Sequence, residues 1–306
     1  MSRFRPLDRT TSLRVSPVKR SPFRMPGSTK PMRRSTAVTT QTDLDALLAR
    51  QAAGEPVLPL LTTGTFTVPG GEVLAKGDAH VDVTGNATVS ACEHAVLRSE
   101  GFATLWLSGD ATAVIRQARY VNATDRAQVT AVGTTVIAAH GDTTIRAGGH
   151  THVNAFDQAT VIADDYATVA GRDNTNIDAS HDARVEIHGR AHAALRDRAF
   201  AVAGGSATLS LFDQSAATAK DRTVLIVNDD AKATISGQAQ ATAVDSASIV
   251  ADDNTTVTAY DNSRIERRNP TVTVETRGEV TVFDTPSNVV AFPGRPIEAR
   301  VSGLGL

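Results

Sequence analysis

Aromatic side chains are scarce: they make up 4% of the 306 residues, with one Trp and three Tyr, and there are only three Met. The apolar share, 41%, is mostly Ala and Val, which excludes a thick aromatic core and points to a thin, regular one. The single cysteine, Cys92, excludes an internal disulfide and any multi-cysteine zinc site. No run reaches the roughly 18 apolar residues of a spanning helix, so no membrane partner is expected. The N-terminus has arginines but no apolar stretch behind them. No secretory signal is therefore expected, which places synthesis in the cytoplasm. Proline is absent between Pro69 and Pro270, leaving room for long hydrogen-bond ladders, to which proline cannot donate.

What is present is unevenly spread. The formal charge of −2 conceals a basic start. Residues 1–35 contain Arg3, Arg5, Arg9, Arg14, Lys19, Arg20, Arg24, Lys30, Arg33 and Arg34 against one acid, Asp8. Five of the twelve prolines also fall there, with almost no apolar periodicity, so residues 1–40 read as a basic extended arm, flexible or ordered by a partner. Next, Thr42 is the expected N-cap of a short helix in which Leu44, Leu47 and Leu48 share a face and Gly54 marks the end. Residues 41–75 are then a helix and cap.

From Lys76 to Arg267 the chain divides into octads without insertion. Thr84-Gly85-Asn86-Ala87-Thr88-Val89-Ser90-Ala91 is one example. Position 2 is Gly or Asp in 21 of 24 octads, position 4 is Ala, Ser or Thr in 23, and position 6 is Val, Ile, Leu or Ala in all 24. Positions 4, 6 and 8 alternate with polar 5 and 7, the pattern of a strand with one face buried. Gly, Asp and Asn at positions 2 and 3 tolerate left-handed backbone and supply a corner. One octad is thus a strand and a bend, and such units must stack to bury a face. The expected fold is all-β, a parallel β-solenoid over residues 76–267. No superperiod distinguishes 16 from 24 residues per coil, and the small–large–small order at positions 4, 6 and 8 favours a triangular section. Beyond Pro270, Val272, Val274, Val280 and Val282 fall on the formerly outward parity, with Arg277-Gly278 between them. Residues 268–306 therefore read as a terminal capping hairpin and tail.

The octads resemble the needle repeats of contractile phage tails and related secretion spikes, most closely at Val83-Thr84-Gly85-Asn86-Ala87-Thr88-Val89. That resemblance implies a trimer of intertwined chains, one octad per face, in a virion or tail-like particle. Asp in place of Gly at many corners, and Ala at most position-8 sites, depart from it. The octads are also similar to the 16-residue coils of ice-nucleation proteins. Their Thr-x-Thr array survives at Thr256/Thr258 but gives way to Val96/Arg98, Thr104/Trp106 and His80/Asp82.

Chemistry-bearing candidates are few. His150 and His152 form a His-x-His pair like the iron-holding motif of spike tips, but at outward positions 3 and 5, where a solvated pair is expected. The acidic corners Asp164-Asp165, Asp229-Asp230 and Asp252-Asp253 resemble calcium-binding β-rolls, yet a strict eight breaks the nonapeptide geometry; these Asp are expected to satisfy their own turn amides. No metal or cofactor is expected. Outward acids Asp82, Asp178, Glu186 and Glu266 are too scattered for the carboxylate pair of a polysaccharide hydrolase or lyase. Phe102 and Trp106 are a candidate interface, expected to lie under the cap from residues 40–69. In the arm, Ser16-Pro17-Val18-Lys19 and Ser21-Pro22-Phe23-Arg24 resemble the minor-groove-binding units of linker histones.

These readings converge on a non-enzymatic structural protein: a rigid rod with a basic arm, partnered by other structural proteins. A nucleic-acid-associated protein and a carbohydrate-active β-helix are the alternatives.

Overall fold

The computed structural model describes residues 34–285, and the arm residues before Arg34 lie outside them. All described strands belong to one parallel sheet wound into a solenoid. Strand β1 (Arg34–Val38), helix α1 (Gln41–Ala52) and the long strands β2 (Val57–Val68) and β3 (Glu72–Val83) start it; β4 to β26 run from Thr88–Ala91 to Arg264–Arg267. The octad assignment holds in detail: positions 4, 6 and 8 point inward and are buried almost throughout, as in Ala159, Val161 and Ala163.

The cross-section differs from the triangular expectation. Thr160 pairs with Asn176 and Val161 with Ile177, an offset of 16, and the same offset recurs along the rod. Two octads make one coil, so the solenoid has two faces and two rows of corners. Small residues at 4 and 8 flank each corner, where the facing sheets converge, and large ones at 6 fill the middle. In three of the six octads with Ala at position 6, volume is restored at position 8: Ala113, Ala193 and Ala233 are followed by Ile115, Leu195 and Ile235. Each mid-rod strand finds both of its neighbours within its own chain.

The corners pair most of their amides. In the corner Asp164–Ala167, the Asp164 N–H donates to Ala147 O of the coil before, Tyr166 N–H to Gly149 O, and Ala167 N–H back to Asp164 O. Position 2 sits in the left-handed region, with φ near 55–60° at Asp157, Asp165 and Asp245. Its own N–H is left over. In many coils a position-2 carboxylate of the following coil accepts it: Asp157 takes Gly141 N–H at 3.1 Å, Asp213 takes Asp197 N–H at 3.2 Å and Asp221 takes Gly205 N–H at 2.9 Å. The acidic corners therefore join neighbouring coils, where their own turns were expected to be the recipients. Own-turn bonding is confined in this series to Asp164 on Asp165 N–H and Asp252 on Asp253 N–H. In both cases the next coil offers no acid at position 2, having His181 or Pro270 there.

The two ends are built differently. Helix α1 is capped by Thr40, not Thr42: the Thr40 side chain accepts from Asp43 N–H. Its Leu44 and Leu47 are buried with Leu61 and Phe66. The Gln51 amide accepts from Glu72 N–H and donates to Val57 O and Glu72 O, while Gln41 exchanges two bonds with Thr67. These amides satisfy backbone groups at the first coil's edge.

At the other end the expected hairpin is absent. β27 (Thr273–Arg277) pairs parallel with β25 (Thr256–Tyr260), Val257 against Val274, and β28 (Thr281–Asp284) pairs parallel with β26. The offset there is 17: one extra residue near Pro270 cancels the parity slip and keeps Val272 buried. The segment 270–284 is one more coil, and the winding also extends before Lys76, into β2.

Candidate functional site

The two rows of corners differ in charge. One row passes through Asp165, His181, Asp197, Asp213, Asp229, Asp245 and Asp261; the other alternates Gly189, Gly205 and Gly237 with Asp173, Asp221 and Asp253. In the first row, His181 stands where its neighbours carry Asp, and it forms a short contact with the Asp164 carboxylate. The Asp165 N–H, helped by His181 and Ser180, holds the Asp164 carboxyl below the usual range, and Asp164 in turn raises the His181 imidazole.

Side chains of adjacent coils stack in register. Arg126 forks onto Asp110 at 2.7 and 2.8 Å and Arg198 onto Asp182 at 2.9 and 2.7 Å, each holding its carboxyl below the ordinary value. His140 stacks on Phe156 and His150 on Tyr166, with ring centroids 4.7 and 5.4 Å apart. His152 lies on a strand of the adjoining face, so the His-x-His pair is split between a corner and a face. Among the described residues no group of three His, Cys, Asp or Glu side chains is placed to hold a metal.

The outward carboxylates also sit apart. Asp178 pairs with Arg196, Glu186 contacts His188, Glu266 meets Arg268, and Asp82 lies across from Arg98.

The expected aromatic interface is divided. Phe102 is 61% exposed on a corner, whereas Trp106 lies at the far end of the next strand, towards the opposite row. The helix packs on β1 and β2 and does not cover it. Trp106 instead lines an open groove of about 450 Å³ that crosses several coils and is walled by Leu74, Ser90, Leu107, Asn122 and Asp125. Tyr120 meets its ring edge-on at 6.2 Å. Cys92 lies in the same groove, and burial pushes its thiol up.

The arm cations from Arg3 to Arg33 lie outside the described residues, and Arg34 opens β1. No described helix is long and apolar enough to cross a membrane. No family model, curated protein sequence or solved structure matches this chain. Its class is set by its own geometry: a two-faced parallel β-solenoid of 16-residue coils, capped by a helix at its N-terminal end.

Proposed function

We propose that this protein is a structural component of a larger assembly, a rigid β-solenoid rod anchored through its basic N-terminal arm. The observation that carries this reading is the unbroken ladder, in which strands, corners and corner carboxylates all bond to the adjacent coil. A lattice with so few unpaired backbone groups resists bending and has little need to move, as a spacer or scaffold requires. The needle-like octads favour a virion or tail-like particle as the setting, although the chain forms its coils alone. Partners would be other structural proteins, including further copies.

A second reading, nucleic-acid attachment, is favoured by the two Ser-Pro-x-basic units and the ten cations of residues 1–35. Removing residues 1–33 separates the two. A structural anchor loses incorporation into its particle; a nucleic-acid arm loses salt-dependent DNA retention while assembly stays intact, and that result would overturn the first reading.

A further inference from the structure

We propose that the Trp106 groove is the docking site for the basic arm of a second copy of this chain. The inference rests on the reading of residues 1–33 as an assembly arm and names the surface that receives it.

Three observations support it. First, the groove has a charged setting. Along the corners bordering it, residues 76–142 present Asp78, Glu93, Asp110, Asp125 and Asp142 against Lys76 and Arg126, while the opposite corners over the same coils carry one acid, Glu100, and two bases, Arg116 and Arg119. The arm, residues 1–33, brings nine cations against one acid.

Second, aromatic rings elsewhere on the rod already carry guanidinium groups: Arg196 over Phe212, Arg264 over Phe283 and Arg277 over Tyr260, at 4.7 to 5.8 Å. Trp is the strongest ring for this contact, yet no arginine lies over Trp106 among the described residues. A guanidinium on Trp106 would have the Asp125 carboxylate within the same groove.

Third, the described chain begins at the row of corners opposite its own groove. Strand β1 shares a face with Trp106, through the column Ala37, Leu60, Leu74, Ser90 and Trp106. Arg34 starts that strand at the opposite row of corners, whereas the groove lies where the strands end. An arm of 33 residues is long enough to reach either groove; its reading as an assembly arm directs it to a neighbour's, where docking would link rods into a chain.

The only Trp of the sequence is the reporter. With the full chain, sedimentation velocity and acrylamide quenching of Trp106 are followed over protein concentration at low and high salt. The expected result is self-association that salt weakens, with Trp106 shielded in step. Trp106→Ala, and Asp125→Asn with the fluorophore kept, should each weaken association about tenfold. Trp106→Phe should keep most of it, which controls for folding. Shielding that does not change with concentration would mean docking within one chain and overturn the proposal, as would a monomer with Trp106 freely quenched. Association lost on removing residues 1–33 but unchanged in Trp106→Ala would remove the groove and leave the anchoring role of the arm standing.

Discussion

The two ends of the rod solve the same problem in opposite ways. At the N-terminal end, helix α1 lays Leu44 and Leu47 over the first coil, and the Gln41 and Gln51 amides bond to its edge. At the C-terminal end the interior itself turns polar: the columns that hold Ala251 and Ala259 continue as Arg267, Asp284 and Thr276. Arg267 grips Asp284 at 2.6 and 3.0 Å, and Val282 is left 39% exposed. One end is covered. The other tapers, because a coil with fewer apolar groups to bury leaves less for a cover to protect. A solenoid can therefore be terminated either by adding an element or by withdrawing hydrophobicity from its own repeat.

The largest expected effect contrasts the middle with the tapered end. Val161→Asp places a carboxylate in a fully buried row and should cost several kcal/mol. Val282→Asp, at the half-open end, should cost less than about 1 kcal/mol. The outward Thr160→Asp should be nearly silent. Chemical denaturation of the three variants is the check, and equal losses would show that the inward and outward rows are misassigned.

Next in size is truncation at the covered end. Phe66 is buried beneath the helix, so Phe66→Ala should cost about 3–5 kcal/mol, against under about 1 kcal/mol for Val282→Ala. Similar values at both ends would break the contrast between cover and taper.

A smaller loss is expected from Gln51→Ala, which strands Glu72 N–H and two carbonyls at a half-buried site. About 1–3 kcal/mol should be lost, with hydrogen exchange accelerated at Glu72 and not beyond Val83. Exchange that rises along the whole rod would mean that the first coil and the middle unfold as one unit.

The smallest effect is the pH dependence of the tapered end. Arg267 holds the Asp284 carboxyl below its ordinary value. A lowered folded-state value means that this contribution is fully present above the unfolded carboxylate range, near about 4, and disappears as the pH falls through the lowered value. The Gln amides of the other end do not titrate. Acidification below about pH 4 should therefore fray residues 273–284 before the helix end, as followed by residue-resolved hydrogen exchange. Simultaneous loss at both ends would contradict this.

Much of the fold was legible because octad parity is local. Alternation at positions 4 to 8 and the left-handed need of position 2 are properties of each octad alone, and Val161, Asp165 and Thr160 fall where they imply. The 16-residue coil was not legible in the octads, and its trace is visible only once the fold is known. It lies in pairs 16 apart that meet in space: Asp110 with Arg126, Asp182 with Arg198, His140 with Phe156, His150 with Tyr166. The terminal hairpin was misread because parity shows that a strand has slipped and cannot show whether a bulge restores it. Trp106 was expected under the cap because nothing local says how far a helix reaches.

The sequence by itself determined the unit: a four-residue strand, a corner that accepts Gly or Asp, an inward row and an outward row. Local sterics and side-chain alternation are sufficient for each. Only the tertiary structure decided that two such units close a coil, that a corner carboxylate bonds to the coil before it, and that Trp106 faces an open groove. Those facts depend on which residues become neighbours across a turn of the solenoid. An octad that repeats with the same pattern presents nearly equal burial to two-sided and three-sided closure, so the choice rests on contacts between coils and not on any octad alone.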